Sequence, residues 1–141
     1  MKKYFCLVLL LLSGCATVDP SLEVEEVMRE MNLAYKNKDL DGFMSFVSTD
    51  YQNNRADFQL AVENDFAGFE GVEYRTSVFK TKVEKETGIY KASVYFYRTA
   101  KSYRYGVDHQ SGETFLTFLK NRDGLKLIHM SSPALYGLIV P

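Results

Sequence analysis

The sequence predicts an α+β fold: three N-terminal helices packed on a curved antiparallel sheet of about four strands. Two observations carry this. Apolar residues recur at three- and four-residue spacing, between good helix caps, only in the first half of the chain. From Val72 onward Tyr, Thr, Val, Phe and Ile dominate, with turn signals at regular intervals. Helices first and strands afterwards is the signature of segregated layers.

Asp19-Pro20 opens the first helix with a carboxylate cap and a proline at the first helical position. Glu23, Glu25 and Glu26 sit near the positive end of its dipole. Val24, Val27, Met28, Met31, Ala34 and Tyr35 form one stripe, read as core, and Lys36-Asn37-Lys38 ends the helix. Asp39 caps a second helix over Leu40 to Val47, and Ser48 to Asn53 reads as an extended link. Asn53 or Asn54 caps a third through Phe66, with Phe58, Ala61, Val62 and Phe66 on one side and Gly68 and Gly71 marking its end.

Strands are expected at about 72–84, 89–104, 113–121 and 125–131, joined by turns at Lys85–Gly88, Gly106–Gly112 and Asn121–Gly124. Asp123-Gly124 is a strong hairpin signal. The strands are apolar on both faces: Tyr95 and Tyr97 share one, Val94 and Phe96 the other. Helices covering one face leave the second in need of a partner. Two partners fit, a homodimer through the outer sheet face or closure by Leu135–Val140.

The N-terminus is built differently. Lys2 and Lys3 precede an apolar run from Tyr4 to Leu12, followed by Leu12-Ser13-Gly14-Cys15. The run is too short for a membrane span, which needs roughly 20 residues, and has the length of a signal-peptide core. The L-S-G-C tetrad resembles the lipobox of bacterial lipoproteins. That resemblance implies a signal peptide over residues 1–14, lipid on Cys15, a short tether to Pro20 and a domain over 21–141. It also implies membrane attachment through that lipid, in the bacterial cell envelope. Ala16 after the cut resembles an outer-membrane address, facing the periplasm. The link from Ala16 to Pro20 reaches only about 15–20 Å when extended, so the domain would sit beside the bilayer.

A cut before Cys15 removes 14 of the 141 residues and leaves 127, the size of one domain with a real core. Cys6 would leave with the signal and Cys15 would carry lipid, so no disulfide, cysteine nucleophile or Cys-ligated metal is expected. Losing Lys2 and Lys3 takes the basic count from 17 to 15 against 18 acidic residues, a net charge near −3. Such a balance argues against nucleic acid as a partner, and no polybasic patch for lipid headgroups is present.

Three segments together resemble the nuclear transport factor 2-like superfamily, which includes ketosteroid isomerases and polyketide cyclase-like proteins. They are K-D-L-D-G-F at Lys38–Phe43, S-T-D-Y at Ser48–Tyr51, and D-G-L-K-L-I-H-M-S-S-P at Asp123–Pro133. The last departs from the group in having Leu125 where Trp is common. The resemblance implies a bent sheet wrapped around helices as a cone, a pocket between them, and frequent dimers. Isomerase chemistry does not carry over: its tyrosine position falls on Met31 and its base position near Arg55.

Other chemistry is sparse. Asp108 and His109 adjoin in an expected loop and His129 lies on the last strand, without a third ligand or metal-binding spacing. No G-x-S-x-G and no phosphate loop occurs. Tyr51, Phe66 and His129 are the candidates for lining a pocket. Tyr95 to Tyr105 interleaves Tyr with Arg and Lys, as cross-strand packing or an interface would. No catalytic set, metal or cofactor is expected. The function predicted is a lipid-anchored envelope protein whose cone binds a small apolar ligand or a protein partner without catalysis. The alternatives are a small isomerase- or cyclase-type enzyme using Tyr, His and Asp in the cone, or a structural subunit of an envelope complex.

Overall fold

The computed structural model describes residues 18–139. The signal segment, Cys15 and the first two residues of its tether lie outside the described residues, as do Val140 and Pro141. The element order is α1 (Pro20–Lys36), α2 (Leu40–Met44), α3 (Arg55–Gly68), β1 (Phe69–Glu84), β2 (Ile89–Ser102), β3 (Gly106–Asn121) and β4 (Gly124–Met130). The strands form one antiparallel sheet in the order β1-β2-β3-β4, with the three helices packed on it in the cone-shaped α+β arrangement expected.

Local chemistry explains the helix starts. The Asp19 carboxylate accepts from Ser21 N at 2.9 Å, Asp39 accepts from Gly42 N at 3.0 Å, and Asn54 accepts from Ala56 N and Asp57 N. Among the described residues, no helix is long and apolar enough to cross a membrane.

Three boundaries differ from expectation, each because tertiary pairing overrides a local signal. The second helix stops at Met44 rather than Val47, because the following backbone is taken by β4: Leu127 N donates to Phe46 O at 2.7 Å and Ser48 N to Leu127 O at 2.9 Å. β1 begins at Phe69, directly after α3, and pairs from there with Ser102. The 106–112 segment is strand and not turn, since β2 runs far enough to pair Ser102 with Gly106 and Thr99 with His109. The turn is only Tyr103–Tyr105, with Ser102 Oγ accepting from Arg104 N and Tyr105 N.

The concave face of the sheet holds the core. Val24, Met28, Met31 and Tyr35 from α1 meet Phe43, Val62, Val94, Leu116, Phe118 and Leu127, all but excluded from solvent. After β4 the chain does not run over the outer face. Residues 132–139 fold across the wide end of the cone, burying Leu135 and Tyr136 fully on the helix side. Their described part therefore does not close the second face. Phe79, Tyr95, Tyr97 and Phe115 remain exposed there.

Candidate functional site

A groove of about 570 Å³ opens between α3, the link before it and the segment after β4. Tyr51, Phe58, Ala61 and Met130 supply its apolar wall; Asn53, Asp57, Ser131 and Ser132 supply polar groups. The Tyr51 and Phe58 rings stack at 4.8 Å with planes 17° apart. This places an aromatic floor beneath the groove. Burial pushes the Tyr51 phenol up to about 12, so it stays a neutral hydrogen-bonding group at ordinary pH. Asp57 is exposed at the rim.

Tyr51, then, lines this groove. Phe66 does not; it is half-buried and packs edge-to-face on Tyr35 at 4.9 Å. His129 does not either. It pairs across from Thr117, and strand alternation turns it away from its neighbour Met130, which faces the groove. His109 and Asp108 sit on β3, where His109 Nδ1 lies 3.0 Å from the Tyr97 hydroxyl on the exposed face. Among the described residues, no cluster of His, Cys, Asp and Glu is placed to hold a metal.

The cone interior contains polar groups that the sequence reading did not single out. Asp65 is completely buried and accepts from the Tyr35 hydroxyl, from Leu138 N at 2.8 Å and from Ile139 N at 2.8 Å. Tyr35 also accepts from Gly137 N at 3.0 Å. Arg98, buried to 7% exposure, donates to Ala134 O and Leu135 O and to Gln110 Oε1, with its guanidinium over the Phe96 ring. Thr114 donates to Pro133 O at 2.9 Å. The Tyr136 hydroxyl donates to Asn32 Oδ1 at 2.6 Å, and the buried Tyr74 hydroxyl has no partner among the described residues. Burial drives the phenols of Tyr35, Tyr74 and Tyr136 well above the ordinary tyrosine value. A signal for Asp65 was present in the sequence: a lone carboxylate inside the apolar stripe of the third helix, in register with Ala61 and Val62.

The two isomerase positions hold structural roles. Met31 is buried core, and Arg55 donates to Met44 O at 3.1 Å, closing the end of α2. The phenol and the carboxyl that do meet inside the cone are Tyr35 and Asp65, both bonded to the backbone of the segment after β4.

No protein-family model and no curated protein matches this sequence. Solved structures do match. A candidate aromatic ring hydroxylase from Novosphingobium aromaticivorans aligns with TM-score 0.71 at 14% identity, over 81% of this chain and 87% of that one. A candidate scytalone dehydratase from the same organism aligns with TM-score 0.69 at 13% identity, over 77% and 79%. A candidate dehydratase of the nuclear transport factor 2-like family from Streptomyces avermitilis aligns with TM-score 0.63 at 12% identity, over 78% and 91%. The fold is thus nuclear transport factor 2-like. At these identities the likeness is one of architecture, and an architecture hosts many activities.

Proposed function

We propose that this protein is a lipid-anchored lipoprotein of the bacterial envelope that binds a small apolar ligand, without catalysis, in the groove floored by Tyr51 and Phe58. The observation that carries the ligand reading is the groove itself: an apolar wall, a stacked aromatic pair and a few rim polar groups, the usual make-up of a small-molecule site. Binding is favoured over catalysis because the acid–phenol pair inside the cone, Asp65 with Tyr35, is already engaged by main-chain amides. The groove's own ionisable groups are two phenols held neutral, Tyr51 and Tyr136, and the exposed Asp57 carboxylate, with no base beside them. The anchor rests on the lipobox-like L-S-G-C at Leu12–Cys15, and the outer-membrane, periplasm-facing address on Ala16.

Titration with the neutral fluorophore N-phenyl-1-naphthylamine tests the groove. Saturable one-to-one binding, weakened about tenfold or more in Tyr51→Ala, is the expected result. Linear, non-saturating fluorescence unaffected by that substitution would sink the ligand reading. The anchor is tested separately: Cys15→Ala should yield uncleaved precursor or release the domain from the membrane fraction. A processed, acylated Cys15→Ala product would refute it.

A further inference from the structure

The start of α1 is fastened to one stretch of β1. The Ser21 hydroxyl donates to the Thr81 hydroxyl at 2.9 Å, and Thr81 lies between Lys80 and Lys82. Cys15 stands six positions before Ser21. Fully extended, that length of chain reaches about 20 Å. A lipid on Cys15 therefore holds this stretch of β1 within that distance of the bilayer surface.

A β-bulge decides what that stretch shows. Val78 pairs with Val94, Phe79 is skipped, and Lys80 pairs with Ser93. Ala92 and Val94 are buried, so Ser93 and its partner Lys80 face outward. In an unbroken strand Lys80 and Lys82 would have faced the core; the extra residue turns both to the convex side beside Phe79. Lys82 then lies across from Lys91, a like-charge pairing that costs stability. Glu84 pairs with Lys91 at 3.5 Å, while Lys80 and Lys82 have no carboxylate partner among the described residues. Next to the lysines Phe79, Tyr95 and Phe115 stand exposed, Phe115 across from Ser93. Glu113 lies across from Tyr95, on the side away from the lysines. The sequence holds no basic run; the fold assembles this patch from three strands.

We propose that this patch docks on the anionic phospholipid surface to which Cys15 tethers the chain. Lys80, Lys82 and Lys91 meet headgroup phosphates, and the rings of Phe79, Tyr95 and Phe115 rest at the boundary between headgroups and acyl chains. The inference rests on the lipid-anchor part of the proposed function and is independent of the Tyr51 groove. Charge selects this occupant: lysines gathered on one face of a net acidic chain call for an anionic surface. A second copy would present this face with the same excess of cations. Tether length selects it again, because the bilayer is held within reach of the patch. Docking is then intramolecular, and weak contacts suffice.

The test uses the acylated protein, purified from membranes and reconstituted through its lipid. An amine-acetylating reagent is added, and the labelling rate of each lysine is read by mass spectrometry. On vesicles of phosphatidylglycerol and phosphatidylethanolamine, Lys80, Lys82 and Lys91 are expected to label at least about fivefold more slowly than on phosphatidylcholine vesicles. Lys126, which reaches to Ser45 O from the β4 edge of the sheet, should label equally on both. Salt at about 0.5 M should return the three lysines toward the phosphatidylcholine rate. Equal rates on the two kinds of vesicle overturn the docking and leave the anchor standing. Slow labelling that instead follows protein concentration in detergent assigns the face to a second copy and also overturns it. An intact mass without acyl chains refutes the anchor, and the docking falls with it.

Discussion

The two faces of the sheet are built from similar residues and meet opposite fates. Along β2, Val94 and Phe96 point into the cone and are 0% and 6% exposed, while Tyr95 and Tyr97 between and beside them are 49% and 42% exposed. On β3, Leu116 and Phe118 are fully buried and Phe115 is 54% exposed. The concave face is also where Arg98, Thr114 and their bonds to the segment after β4 lie; on the convex face Tyr95 stacks on Phe79 at 4.2 Å and Tyr97 on His109 at 5.8 Å, in pairs open to water. Hydrophobic content therefore does not separate core from surface in this sheet. What separates them is the period-two alternation combined with which face the helices cover. The convex face thus keeps Phe79, Tyr95, Tyr97 and Phe115 exposed.

The largest test of this contrast is alkaline pH. In Tyr35, Tyr74 and Tyr136 burial raises the phenol, and in Tyr51 it raises it to about 12. The unfolded chain loses these protons from about pH 10, and the folded chain keeps them. Stability is thus fully present below about pH 10 and falls as pH rises. Each such tyrosine contributes a slope of about 1.4 kcal/mol per pH unit until its folded value is passed. Urea denaturation at stepped pH should show a steep loss above pH 10, and Tyr51→Phe should flatten it between about 10 and 12. A flat profile to pH 12 would break the distinction between buried and open aromatics.

Next in size is a pair of truncations three residues apart, on opposite faces of the same strand. Phe118→Ala should lower the unfolding free energy by about 3–5 kcal/mol through loss of burial and the cavity left behind. Phe115→Ala should change it by less than about 1 kcal/mol, as exposed positions do. Similar values for the two would mean that the convex face is covered in solution.

Smaller still, Thr114→Val keeps the shape and removes the donor to Ser131 O and Pro133 O. Leaving carbonyls without it should cost about 1–2 kcal/mol by chemical denaturation. The smallest effect is expected for Tyr95→Ala, where an open stack with Phe79 contributes about 0.5–1 kcal/mol. A larger loss accompanied by a drop in sedimentation coefficient would instead reveal a dimer through this face.

Much of the fold was legible in the residues. The caps Asp19, Asp39 and Asn54 bond to amides two or three positions away, so their signal survives any tertiary arrangement. Strand identity was equally local, because alternation and turn residues act over a few positions. Boundaries were less so: the glycines and polar run of 106–112 read as a turn, yet a paired strand is available in β2 and its ladder bonds override the composition. At the site, Tyr51 was legible as an aromatic within the link after the second helix, a pocket-lining candidate. Asp65 left only the mark of a lone carboxylate inside an apolar stripe, and its role was not legible because its partners Leu138 and Ile139 are 73 and 74 positions away. Arg98 sat in a run of alternating Tyr and cations read as cross-strand packing or an interface, and the carbonyls of Ala134 and Leu135, with Gln110, make its burial tolerable.

By itself the sequence determined the order of layers, the helix starts, the two-faced strands and a lipobox-like N-terminus. All are set by chemistry within a few residues along the chain. Only the tertiary structure decided which aromatic face is core, that His129 turns away from the groove, and that residues 132–139 lie across the cone's mouth. Those outcomes depend on contacts between elements tens of residues apart. There, buried hydrogen-bonding groups must find partners or lose about 1–3 kcal/mol each, and that requirement binds Asp65, Arg98 and Thr114 to a segment none of them neighbours in sequence.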